Sequence, residues 1–245
     1  MALECKDVSF SFVDKDGVEK HILENMSFTL GENEIKLVYG HIGVGKSTLI
    51  YLLAGLLEEF EGEISWDDYN FSKVSSKLDK IRSKYMSINF SNFFYIKDMD
   101  VEHNIMFPAV FSKKTQSYID DRLEMMYDAF SDIRLSDTEV FNLKSFAKKK
   151  IGTMSNGQRE IVMLARMLMN DSRYILADEM LRSFNTNVKK QMLEILFEKF
   201  HLGTRNSMLL ITHDDKMLEY MKHYAKGRVS IKAYDFKNKT LQERV

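Results

Sequence analysis

GHIGVGKSTL, Gly40 to Leu49, is the stretch on which the reading of the whole chain turns. It is rich in glycine, ends in a lysine followed by two hydroxyl residues, and stands between two apolar segments. Ahead of it, EIKLVY (34–39) has the apolar, β-branched character of a buried strand. After Lys46, the residues Leu49, Ile50, Leu53, Leu56 and Leu57 recur at helical spacing, which predicts a helix along this run, with Gly55 too late to prevent its start. Strand, loop and helix together form the context in which G-x-x-x-x-G-K-[ST] counts as a phosphate-binding loop. Glycines let backbone N–H groups turn inward around phosphate oxygens, and the helix N-terminus adds its positive dipole end. The loop would run over Gly40, His41, Ile42, Gly43, Val44 and Gly45. Lys46 would then reach the β- and γ-phosphates, Ser47 would ligate Mg²⁺, and Thr48 would add a further phosphate contact. A nucleotide ligand follows from this, but the reaction does not.

The rest of the composition narrows the field. With 245 residues and 44% hydrophobic composition, the chain can bury one large core. A formal net charge of -1 provides no bulk attraction for nucleic acid, so no nucleic-acid partner is expected and a phosphate ligand must be gripped locally. The single cysteine, Cys5, rules out an internal disulfide and suits a reducing compartment. MALECKDVSF carries Glu4 and Asp7 where a secretory signal would be apolar. The longest apolar run, Leu49–Leu57, falls far short of the ~20 residues a spanning helix needs. A membrane role would therefore need a partner that supplies the membrane part.

Further along, RYILADE (173–179) is a short apolar run ending in two acids. At the carboxyl end of a parallel strand, Asp178 could hold Mg²⁺ beside the phosphate loop and Glu179 could polarise an attacking water, although strands commonly run into loops through acids. SMLLITHDD repeats the pattern: a strand from Met208 to Thr212 delivers His213 at its end, near the γ-phosphate position. In MSNGQREIVMLARML, Ile161, Leu164, Ala165 and Leu168 form one apolar helical face. Ser155, Asn156 and Gly157 stand just ahead of it. They read either as a plain helix cap or as a second anion site made of hydroxyl, glycine and helix dipole.

Taken in order, GHIGVGKST, MSNGQ, ILADE and LLITHD resemble the nucleotide-binding subunit of an ATP-binding cassette (ABC) transporter. Ser155 lies 23 residues before Asp178, and the resemblance covers essentially the whole chain. It implies an α/β fold: a P-loop NTPase core (1–90 and 157–245) with an antiparallel β subdomain and an inserted α-helical subdomain (91–156) that ends in the signature motif. It also implies an ATPase using ATP and Mg²⁺, with Ser155, Asn156, Gly157 and Gln158 contacting nucleotide and Phe12 of DVSFSF stacking on adenine. EGEISWDD and VEHNIMFP match further family segments. Ile119, Leu123, Met126, Tyr127 and Phe130 read as the core of the helical part. Pro108 and the overall length lean towards the subgroup resembling lipoprotein-releasing, cell-division and macrolide-efflux ATPases.

Three positions depart from the family pattern. A glutamine that senses Mg²⁺ and the membrane partner is expected thirteen residues before Asn104, where this chain has Ser91, so Ser91 is the candidate metal-site residue there, with Asn89 or Asn92 as substitutes if the register slips. Asn185 replaces an aspartate in MLRSFN, losing its charge while keeping hydrogen-bonding capacity. Asn156 replaces the first signature glycine. Gly45, Lys46, Ser47, Asp178, Glu179 and His213 are intact, which favours an active but slow or tightly regulated ATPase, with Glu179, His213 and Lys46 as the catalytic set.

The resemblance implies a separate transmembrane permease, a second ABC ATPase subunit (homo- or heterodimer), and a place on the cytoplasmic face of the membrane. The competing reading is an ATP-gated regulatory clamp on a membrane partner with little transport. A soluble phosphotransferase or repair-type clamp ranks last: no acceptor pocket or lid is evident, and no room is left for a coiled-coil insertion.

Overall fold

The computed structural model describes residues 2–70, 78–91 and 94–244. The chain opens with β1 (Leu3–Val13) and β2 (Glu19–Leu30), paired antiparallel through a turn. In that turn the Asp14 carboxylate accepts the N–H groups of Asp16 and Val18. Next come β3 (Glu34–Tyr39), α1 (Lys46–Leu53), β4 (Glu61–Trp66), β5 (Tyr69–Asn70), α2 (Leu78–Tyr85) and β6 (Met86–Asn89). A mainly helical stretch follows: α3 (Val101–Phe111), α4 (Gln116–Ala129), the short pair β7 (Ile133–Arg134) and β8 (Val140–Phe141), α5 (Leu143–Phe146) and α6 (Asn156–Leu168). The chain ends with β9 (Tyr174–Asp178), α7 (Thr186–Glu198), β10 (Ser207–Ile211), α8 (Met217–Ala225), β11 (Ser230–Lys237) and β12 (Thr240–Glu243).

Two main sheets result. β2-β1-β4-β5 is antiparallel, and β12-β11-β3-β10-β9-β6 is parallel except for the edge pair β11–β12. Central parallel strands are covered on both faces, which is why EIKLVY and YILAD read as nearly continuous apolar runs. Period-2 alternation sends Ile35, Leu37, Ile175, Ala177, Met208 and Leu210 to one face, into a core shared with α3, α4, α6, α7 and α8. Val38, Tyr174, Leu176, Leu209 and Ile211 face the other way, towards α1 and the antiparallel sheet. The residues Ile119, Leu123, Met126, Tyr127 and Phe130 belong to the first of these cores, continuous with the sheet. Cys5 is buried in the second, and burial pushes its thiol up to about 12.

The sequence periodicity overestimates α1. The helix stops at Leu53, with Ala54 as its cap, and Leu56 is exposed. Gly55 adopts φ 62, and the N–H groups of Gly55 and Leu56 bond back to Leu52 and Tyr51. This is the left-handed turn with which glycine commonly ends a helix, so the apolar spacing of Leu56 and Leu57 continues beyond the hydrogen-bonded helix. Trp66, fully buried in β4, donates its indole N–H to Leu53 O at 2.8 Å and ties the end of α1 to the antiparallel sheet.

At α3, Asp100 caps the N-terminus by accepting from His103 N at 2.9 Å. Asn104, with no exposure, donates to the carbonyls of Ile96, Met99 and Asp100 and accepts from Ile96 N. An asparagine one turn into this helix thus holds the preceding loop in place, using both its donor and its acceptor.

Candidate functional site

Four neighbouring strands bring their carboxyl ends to one edge of the parallel sheet. β3 runs into Gly40, β10 leads to His213, β9 ends at Asp178, and β6 leads to Ser91. Ile211 pairs in register with both Asp178 and Val38, so these ends are level. Ligands of open α/β sheets bind at such an edge.

The loop from Gly40 to Gly45 turns on left-handed glycines, with φ 81 at Gly43 and φ 111 at Gly45. Gly45 is also the N-cap of α1, and a Cβ there would stand 2.5 Å from Ile22 Cγ2, so both conformation and space require glycine. Lys46 is 5% exposed and its ammonium donates to Gly40 O at 2.8 Å and His41 O at 2.7 Å. Burial pulls Lys46 below the ordinary lysine range, while Asp178 and Glu179 pull it back up. Asp178 is buried, and its Oδ2 accepts from Ser47 Oγ at 2.7 Å and from Ser91 Oγ at 3.2 Å. One carboxylate and two hydroxyls make an all-oxygen donor set, which suits a hard divalent cation such as Mg²⁺. Asn89, the first alternative to Ser91, is buried and lines a different groove, and Asn92 lies outside the described residues.

Glu179 follows Asp178 with φ 55. Its Oε1 lies 2.9 Å from His213 Nε2, and its Oε2 accepts from the guanidinium of Arg182. His213 therefore faces Glu179 directly.

These groups line one cleft of about 480 Å³, together with Ile42, Gly43, Thr48 and, across the opening, Phe12. Gly40 and His41 contribute carbonyls to the Lys46 anchor, and Val44 is partly buried against the second core. Phe12 is 45% exposed and meets Phe10 edge-on at 4.8 Å. An exposed ring lining such a cleft can stack on a base.

The signature residues lie elsewhere. Ser155 caps α6 in a reciprocal box: its Oγ accepts from Gln158 N at 3.3 Å, and Gln158 Oε1 accepts from Ser155 N at 3.1 Å. Ser155 and Asn156 are exposed, and none of Ser155, Asn156, Gly157 and Gln158 lines the cleft. Asn185 caps α7 by accepting from Val188 N at 3.0 Å. That capping bond needs an oxygen but no charge, so asparagine serves as well as aspartate.

Sequence reasoning passed over three residues. Lys20, paired across the strands with Phe12, lines the cleft, as does Arg182. The third, Glu160, is 2% exposed in α6 and accepts from Ser183 N at 3.1 Å. Burial pushes its carboxyl above the usual range, against the N–H groups of Ser183, Leu181 and Arg182 that favour the anion. An acid inside an otherwise apolar helical face was the available signal. Glu160 holds the loop after Glu179 against the helix that Ser155 caps. Glu160→Ala is expected to lower stability by about 1–3 kcal/mol by leaving buried N–H groups unpaired, and Glu160→Gln by less. Chemical denaturation of both variants checks this.

A phosphate loop opening a helix, a buried aspartate on the neighbouring strand end and a glutamate beside it define a P-loop nucleoside triphosphatase. The chain belongs to the ABC transporter family: that family's profile matches residues 23–182. It is an ATPase of the ATP-binding cassette class, as its motifs imply. It is 28% identical over 218 residues to the lipoprotein-releasing system ATP-binding protein LolD of Buchnera aphidicola subsp. Schizaphis graminum, a match covering 89% of this chain and 90% of that protein. The similarity agrees with the expected lean towards the lipoprotein-releasing subgroup. Among solved structures, it resembles the dimeric structure of MJ0796, a bacterial ABC transporter cassette, with a TM-score of 0.81 at 21% identity, covering 99% of this chain and 97% of that one. A post-hydrolysis dimer of MJ0796 bound to ADP and Pi superposes with the same TM-score, identity and coverage. A structure of an ATP-binding subunit of an ABC transporter gives 0.79 at 19% identity, covering 100% of this chain and 90% of that one.

Proposed function

We propose that two ATPase subunits close on ATP between the P-loop cleft of one and the Ser155 cap of the other, and that this closure drives a separate membrane permease. The observation that carries the reading is the position of Ser155: an exposed, capped helix N-terminus outside the cleft of its own chain. A hydroxyl and a positive helix end exposed there suit a phosphate brought by another subunit. Residues 1–90 and 157–245 would form the nucleotide-binding core, and 91–156 the helical part.

In this mechanism the N–H groups of the Gly43–Thr48 turn and the Lys46 ammonium bind the phosphates, and Lys46 exchanges its two loop carbonyls for phosphate oxygens. Ser47 and Asp178, with Ser91 beside them, would hold Mg²⁺, which would supply positive charge against the triphosphate. As the water oxygen bonds to the γ-phosphorus, Glu179 accepts its proton, the bond from the γ-phosphorus to the β,γ-bridging oxygen breaks and ADP leaves; His213 orients the Glu179 carboxylate and faces the γ-phosphate. Phe12 stacks on the adenine ring.

No helix among the described residues is long and apolar enough to cross a membrane. The permease would seat in the groove of about 460 Å³ between β6, α3 and α6, where Phe94, Phe107 and Phe111 are exposed. That would place the chain peripherally, on the cytoplasmic face. The alternative, a slow regulatory clamp, is favoured by one observation: both Glu179 oxygens are already engaged.

Complementation tests the composite site. Ser155→Asp keeps the N-cap but sets a negative charge where a phosphate would sit. Lys46→Ala and Ser155→Asp are each expected to be inactive. An equimolar mixture should regain about one quarter of parental turnover, since random pairing in a two-fold dimer leaves one site in four intact. A mixture that recovers nothing, or a Ser155→Asp variant with parental turnover, removes Ser155 from the site.

A further inference from the structure

The loop after β9 is folded back on itself. Glu179 and Leu181 both adopt left-handed backbone conformations, with φ 55 and φ 67, which side-chain-bearing residues seldom occupy. Arg182 N bonds to Glu179 O at 3.3 Å, Phe184 N to Leu181 O at 3.3 Å, and Ser183 N to Glu160 Oε2 at 3.1 Å. These bonds return the Arg182 side chain to Glu179, three residues back, where its guanidinium donates to Oε2. The Arg182 side chain is 63% exposed, whereas that of Glu179 is 14% exposed, so the arginine lies on the solvent side of the carboxylate. Arg182 also lines the cleft that holds Lys46 and Ser47.

The geometry points to Arg182 as a positioning residue that restrains hydrolysis by engaging Glu179 Oε2 and competing there with the attacking water. This rests on the reading of Glu179 as the group that accepts the water's proton. With Oε1 facing His213 and Oε2 accepting from Arg182, each Glu179 oxygen already has a partner, and a water must share Oε2 with the guanidinium or displace it. The guanidinium is exposed, so it can leave without unpacking the core, and the cleft offers it a stronger anionic partner when a triphosphate enters. Each turnover then includes the release of Arg182 from Glu179, and the strength of that ion pair sets part of the barrier.

Steady-state ATP hydrolysis by the full chain tests this with Arg182→Ala, Arg182→Lys and Arg182→Ala combined with Glu179→Gln. Arg182→Ala is expected to raise kcat about two- to fivefold, the scale of releasing an ion pair with one exposed member, and to raise KM for ATP, because the bound triphosphate loses a cationic partner. Arg182→Lys should fall between it and the parental chain, because lysine keeps the charge and loses the planar fork. In the Glu179→Gln background the Arg182→Ala gain should vanish. If Arg182→Ala, folded with parental Tm, shows parental or reduced kcat, the restraint is overturned; a reduced kcat would mean that the arginine serves the phosphates instead. If the double variant keeps the gain over Glu179→Gln alone, Arg182 does not act through Glu179. Parental turnover in Glu179→Gln by itself is a separate result: it defeats the reading of Glu179 as the proton acceptor.

Discussion

Lys46→Ala is expected to abolish thermal stabilisation by Mg-ATP. In the parental chain, nucleotide at 100 times its Kd should add about 2.7 kcal/mol, or roughly 5–10 °C in Tm for a domain of this size. The expectation follows from where the ammonium is held. Lys46 is 5% exposed and fixed on Gly40 O and His41 O of a loop that turns on the left-handed glycines Gly43 and Gly45. Alanine removes the cation from a cleft that also contains Asp178 and Glu179, so a bound triphosphate would meet two carboxylates without the counter-charge between them. The substitution also frees two carbonyls and is expected to move the Tm of the apo protein. The informative quantity is therefore the difference between Tm with and without Mg-ATP, measured for both chains by differential scanning fluorimetry. A variant whose shift equals the parental shift would remove Lys46 from phosphate binding.

The second large effect concerns chemistry rather than affinity. Glu179→Gln should leave the Mg-ATP thermal shift intact while lowering kcat on the order of 10²–10⁴-fold, the usual contribution of a positioned general base. Glutamine keeps the shape and can still accept from Arg182 or His213, but it does not take a proton from water. Because ATP would then bind without being consumed, the closed pair of subunits should accumulate. Gel filtration with Mg-ATP would show a species of twice the apparent mass for Glu179→Gln and little of it for the parental chain. Hydrolysis at the parental rate, or no ATP-dependent change in elution, would contradict the assignment.

How far these groups could be read from sequence depends on how local their geometry is. Gly40 to Thr48 was legible because strand, turn and helix start follow one another directly, and the residue types allow few other conformations. Asp178 and His213 were legible for a related reason: runs of four apolar residues followed by polar groups place those groups at or just past strand ends. The relations between segments were not legible. Ser91 reaches Asp178 only because β6 pairs beside β9, a neighbour relation that local patterning does not contain. Arg182 meets Glu179 because of two left-handed residues, neither of which is glycine or asparagine and so neither of which signals a turn. Glu160 sits in a helix whose apolar pattern predicts packing, and its partner loop lies across the fold. The end of α1 was missed in the opposite sense: Gly55 marked it, but apolar spacing continuing to Leu57 outweighed the glycine.

The buried thiol near the start of β1 has a practical consequence for following these subunits in motion. A sulfhydryl that is 2% accessible and stays protonated up to about pH 12 offers almost no nucleophile to maleimides or other alkylating reagents. As the chain carries one cysteine, its wild-type background is already silent. A reporter cysteine placed in the turn between β1 and β2, where Val18 is 59% exposed and outside the cleft, could carry a spin label or fluorophore at a single address without any prior mutation of the core.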